Sequence, residues 1–213
     1  KALHADSVPI VVVDVSPEAL AKGQAKAAGK IAKGRESGAL TPEAADAMLR
    51  SLTFTSEYGQ LAGATLVIEA ATENLALKQT IFARLAQLCG PHTVLASNSS
   101  HIEPEALFAS LDETTRRRCL VVHYFFPADR NLLVEIVAGR DTDPALARAV
   151  TTLYERIGKI PVPVGGRFGY AVNPVFEGLF LAAAMAVEEG LGTVKEVDAV
   201  ARKALGLGVG PFT

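Results

Sequence analysis

Cysteine is scarce in this sequence: 213 residues hold only Cys89 and Cys119. Two thiols make neither a disulfide framework nor a metal-ligand spacing, which points to a reducing, cytoplasmic setting with both thiols buried. No charge of one sign dominates either. The formal net charge is -2 and the pI is near 6.1, so there is no broad basic field for nucleic acid. Long apolar runs are also missing. The longest, Phe176 to Val187, is broken by Glu177 and Gly178, which argues against a membrane span, and no secretory signal, internal repeat or low-complexity stretch is evident. The opening residues, Lys1 to His4, lack Met and read as the tail of a helix, which suggests a fragment of a longer chain.

A chain that is 49% hydrophobic and 21% charged is expected to be globular and long enough for a sizeable core. In its first two-thirds, short β-branched runs alternate with helical patterns. Val8 to Asp14 reads as a parallel strand covered on both faces, followed by helices from Pro17 to about Gly38 and from Thr41 to Leu52. Strands are expected at Leu52–Thr55, Ala64–Ala70 and Thr93–Ala96, with a helix at Leu75–Leu88 whose apolar face is Leu77, Ile81, Phe82, Leu85 and Leu88. A helix at Glu103–Leu111, strands at 120–123, 132–137 and 160–164 and a helix from Pro144 to Ile157 follow. After Gly165-Gly166-Arg167 the pattern turns wholly helical, from Val172 to Gly190 and from Val194 to Leu205. Alternating elements predict an α/β unit with a parallel sheet, over residues 1–166, and a helical unit over 167–213.

Two ionisable residues stand inside apolar strand-like runs: His123 in Val121 to Pro127, and Glu135 in Leu132 to Val137. Burying either alone is costly, but each can serve the other as partner. They are the candidate base and its orienting carboxylate. Asp14, at the end of its strand, is placed either to take ribose hydroxyls of a dinucleotide or to turn the chain into a helix with Ser16 as N-cap and Pro17 at the first position. Ser100 and Asn173 can cap the helices beside them. The Lys-rich helix after Pro17 reads as a solvated face, and His4, His92 and His101 as surface or loop residues.

Taken together, the strand ending in Asp14, Glu69-Ala70-Ala71-Thr72-Glu73-Asn74 with Lys78, Ala96-Ser97-Asn98-Ser99-Ser100, His123 before an aromatic pair and Pro127, Leu133-Val134-Glu135, and Val172-Asn173 resemble the NAD-dependent L-3-hydroxyacyl-CoA dehydrogenases of fatty acid β-oxidation. The resemblance implies a Rossmann-like domain followed by a helical C-terminal domain. It implies His123 as general base, Glu135 as its orienter, and Ser100 and Asn173 as donors to the substrate oxygen. For NAD it implies Asp14 at the adenosine ribose and Ala70, Glu73, Lys78 and Ser100 around the nicotinamide half. An acyl-CoA substrate is implied, with a homodimer or a multifunctional polypeptide as the setting. Three departures stand out. The first strand and Gly-rich phosphate loop are not in the sequence, Phe126 replaces an Asn of the family, and the family's Pro-Gly-Phe reads Phe168-Gly169-Tyr170. They leave two alternatives open: a dehydrogenase of a small non-CoA hydroxy acid, or a non-catalytic assembly module.

Overall fold

The computed structural model describes residues 8–213; the expected helix tail at Lys1 to His4 lies outside them. β1 (Ile10–Val13), α1 (Pro17–Glu36), α2 (Pro42–Arg50) and β2 (Leu52–Thr55) form the first unit of the chain, with β1 and β2 paired in parallel. After a 3-10 turn at Tyr58–Leu61 come β3 (Leu66–Glu69), α3 (Leu75–Leu88), β4 (Val94–Ser97), two single-turn helices α4 (Pro104–Leu107) and α5 (Glu113–Arg116), β5 (Cys119–Tyr124), β6 (Leu133–Ala138), α6 (Pro144–Arg156) and β7 (Ile160–Gly165). Strands β3 to β7 lie side by side in chain order. The helices α7 (Val172–Glu188) and α8 (Val194–Leu205) close the chain.

Caps mark most helix starts. Ser16, Thr41, Asn74, Asp112, Asp143 and Thr193 each accept an amide hydrogen from the first turn that follows, filling one of the donors a helix leaves unpaired. The central sheet is covered on both faces, and strand alternation sorts its side chains. Cys119, Val121 and Val137 pack with Phe82, Leu85, Leu95, Leu107 and Phe108 under α3 and α4. Leu120, Val122, Val134 and Ile136 pack with Val150 and Tyr154 under α6.

Four expectations need correction. The sheet is mixed, because β6 runs antiparallel to β5; the short connection between them cannot carry a crossover. β1 is not covered on both faces. Among the described residues it shares a sheet with β2 alone, and Ile10 and Val12 are exposed there. The single helix expected over Glu103–Leu111 is one turn, since Phe108 leaves helical geometry and the chain restarts at the Asp112 cap. On α3 the buried stripe is Lys78, Phe82 and Leu85, while Leu77 is exposed; a buried carboxylate on β3 draws the lysine inward.

Candidate active site

β5 and β6 set the site. In their antiparallel register His123 stands directly opposite Glu135, and residues so paired project to the same face. His123 Nδ1 lies 2.8 Å from Glu135 Oε2, with both residues buried. The other carboxylate oxygen, Oε1, accepts hydrogens from the backbone amides of Ala171 and Val172 at 3.0 and 2.9 Å. A carboxylate already accepting two amide hydrogens acts as acceptor toward the imidazole as well. His123 therefore presents Nδ1–H to Glu135 and keeps Nε2 as its basic atom. The rings of Phe125 and Tyr170 meet the imidazole edge-on, with centroids 4.6 and 5.5 Å away, and fix its plane.

A second network lies at the carboxyl ends of β3 and β4, where open α/β sheets hold ligands. Glu69, the last residue of β3, accepts from Lys78 Nζ at 2.8 Å, from the Ala71 amide at 2.6 Å and, on its other oxygen, from the Ser97 hydroxyl at 2.6 Å. Lys78 also donates to the Ala71 carbonyl at 3.1 Å and stands 3.4 Å from Glu73. Glu73 in turn accepts from the Ser99 hydroxyl at 2.5 Å and from the amides of Ser100 and His101 at 2.9 and 3.2 Å. Burial pushes the Glu73 carboxyl up, but those hydrogen bonds and Lys78 together outweigh it and hold the group below the ordinary carboxylate value.

The placement of the expected residues follows from these bonds. Ser100 lies on the loop after β4, and its hydroxyl has no hydrogen-bond partner among the described residues. Asn173 does not cap its helix. Its Nδ2 donates to the Ser100 carbonyl at 3.0 Å, which leaves one amide hydrogen and Oδ1 for a ligand. The turn-forming hydroxyl is that of Ser99, accepting from the Ile102 amide, not that of Ser100. Lys78 is almost wholly buried with three partners, and it braces the Ala70–Glu73 loop from behind. Asp14 and Ala70 are exposed, each just past the end of its strand, and the Asp14 carboxylate accepts the Ser16 amide at 2.8 Å.

Three participants were not singled out from sequence. Glu69 and Tyr170 lie within the quoted motifs, and His101 lies on a loop as expected, its side chain 38% exposed, with its ring 3.3 Å from Glu177 Oε1 on α7 and 5.2 Å from the Phe168 ring. The only sequence signal was adjacency to Ser100, too weak to act on.

A family model described as 3-hydroxyacyl-CoA dehydrogenase, NAD binding domain, matches residues 2–167, and one described as 3-hydroxyacyl-CoA dehydrogenase, C-terminal domain, matches residues 169–213. The chain belongs to the 3-hydroxyacyl-CoA dehydrogenase family. It is 33% identical to 3-hydroxyadipyl-CoA dehydrogenase of Escherichia coli over 95% of its own length and 42% of the relative's. It is 31% identical to the fatty acid oxidation complex subunit alpha of Shewanella baltica, over 97% of itself and 29% of that protein. The crystal structure of (S)-3-hydroxybutyryl-CoA dehydrogenase from Ralstonia eutropha matches with a TM-score of 0.91 at 29% identity, covering 99% of this chain and 74% of the other. The chain thus spans less than half the length of those first two relatives.

The residues of this family member fit part of an NAD site. Asp14 offers an exposed carboxylate at one strand end, and the small exposed residues Ala70, Ala71 and Thr72 line the next. Neither turn contains the glycine that lets backbone approach a pyrophosphate closely.

Proposed function

We propose that the chain carries the catalytic site of an NAD-dependent L-3-hydroxyacyl-CoA dehydrogenase, oxidising the 3-hydroxyl of an acyl-CoA to the ketone. The observation that carries this reading is the buried His123–Glu135 pair, whose carboxylate accepts the Ala171 and Val172 amides next to Asn173, the residue bonded to the Ser100 carbonyl. Nε2 of His123 takes the hydroxyl proton as the C–O bond becomes a carbonyl. Glu135, accepting Nδ1–H, keeps the imidazole in the required tautomer and stabilises the imidazolium once Nε2 is protonated. Ser100 and the remaining amide hydrogen of Asn173 hold the oxygen as its charge changes. NAD, when bound, accepts the hydride from the same carbon. Asp14, Ala70, Glu73 and Ser100 are the residues we assign to it, with the Asp14 charge disfavouring a 2′-phosphate.

We take residues 1–166 as the nucleotide-binding domain and 167–213 as part of the helical domain. The apolar residues that α7 leaves exposed, Val175, Phe180, Leu181 and Met185, support pairing with a second copy, within a homodimer or a larger polypeptide; we take the setting as reducing and cytoplasmic from the sparse cysteines. Replacing His123 by Gln in the full-length protein is expected to lower acetoacetyl-CoA reduction by NADH at least 100-fold while NADH affinity stays unchanged. Undiminished turnover in H123Q would sink the assignment. A second reading, a non-catalytic assembly module, has one observation in its favour: Phe126, 91% exposed, stands where the family has Asn. Titration of the full-length protein with NADH separates the two, because a module would not bind it.

A further inference from the structure

The loop Ser99–Ile102 carries the Ser100 hydroxyl, which has no hydrogen-bond partner among the described residues, and the loop is gripped from two directions. From the sheet side, Glu73 takes hydrogens from Ser99, Ser100 and His101. From the helical side, three residues reach the next three positions in turn. The Asn173 amide donates to the Ser100 carbonyl at 3.0 Å, Glu177 stands 3.3 Å from the His101 ring, and the Tyr170 hydroxyl donates to the Ile102 carbonyl at 2.8 Å. Asn173 and Glu177, four residues apart on α7, share one face toward the loop, and Tyr170 reaches it from the turn just before that helix. Phe168 adds its ring against the His101 imidazole.

Tyr170 joins the two halves of the site. It is fully buried, yet its φ is +55°, a left-handed conformation that a bulky residue holds only where its surroundings over-determine it. That turn aims the following two amides, Ala171 and Val172, at Glu135 Oε1. Its ring lies against His123 and its hydroxyl against the Ser100 loop. Where the resembled motif has Phe, this chain has Tyr170 and its hydroxyl.

We propose that Tyr170 and His101 are positioning residues of the dehydrogenase reaction: they fasten the Ser100 loop to the helical unit, so that the Ser100 hydroxyl and His123 Nε2 meet the same substrate oxygen. The proposal rests on the reading of His123 and Glu135 given above. A hydroxyl displaced by a fraction of an ångström loses most of its value in the transition state.

The test uses the full-length protein with acetoacetyl-CoA and NADH, and variants Tyr170→Phe, His101→Ala and His101→Gln. Tyr170→Phe removes one hydroxyl, and Gln can still donate to Glu177. Expected are a fall in kcat of about five- to tenfold for Tyr170→Phe and for His101→Ala, as for loss of one hydrogen bond, and recovery of most of kcat in His101→Gln. Amide hydrogen exchange of Ser100 and His101 should quicken in the first two variants. A lower melting temperature with unchanged kcat and unchanged exchange overturns the proposal, since that is what a merely structural role produces. If the parent protein lacks turnover, the acid/base reading falls instead, and exchange at residues 99–102 still decides whether the loop is fastened as proposed.

Discussion

Lys78 Nζ lies 2.8 Å from Glu69 Oε1, with each side chain at most 2% exposed. The pair ties α3 to the end of β3, and through Ser97 to β4. Removing one partner of a buried ion pair strands the other charge away from water. Lys78→Met is therefore expected to cost about 3–5 kcal/mol, a drop of roughly 10 °C in melting temperature for a chain of this size. Adding Glu69→Gln to Lys78→Met should recover much of the loss, because no charge is then left unpaired. Calorimetry of the three proteins checks this.

Glu73 links the Ala70–Glu73 loop to the Ser100 loop, and its depressed pKa dates the loss of that link on acidification. The folded value lies below the ordinary 4.5. The contribution is therefore complete above about pH 4.5 and is lost as pH falls through the lower folded value. The expected outcome is faster exchange of the Ser100 and His101 amides below that point, after correction for intrinsic rates. In Glu73→Gln the step should vanish and the loop should be less protected at neutral pH.

Phe126 sits on a loop held at both sides. Asp129 pairs with Lys30 at 2.6 Å, and Lys159 donates to the Asn131 carbonyl at 2.7 Å and to that of Ala128. Its ring nevertheless touches almost nothing. Replacing it with Asn, the family's residue, should leave stability within about 0.5 kcal/mol. It should raise kcat/KM with acetoacetyl-CoA about fivefold by restoring one polar contact. A fall in kcat/KM would show instead that the aromatic ring itself serves the substrate.

Burial pushes the Cys119 thiol up to about 12 and raises that of Cys89 as well, so neither supplies thiolate at pH 8. Iodoacetamide should leave both unmodified in the folded protein and modify both in denaturant. Mass spectrometry reads the difference.

Much of this protein is legible in its sequence, because the signals involved are local. The Asp14 strand end, the cap at Ser16, the buried β-branched runs and the turn to helical pattern after Gly166 each depend on residues close along the chain. Even the His123–Glu135 pair follows from two costly residues in neighbouring strand-like runs. What only the tertiary structure decided are relationships between distant segments, most of them through backbone groups that carry no side-chain signature. The antiparallel register brings His123 opposite Glu135. The left-handed turn at Tyr170 aims two amides at Glu135. The buried Glu69 draws Lys78 inward, off the exposed side of α3. Amide hydrogens and carbonyls are the same at every position, so only folding decides which of them reaches a carboxylate or holds the loop of Ser100.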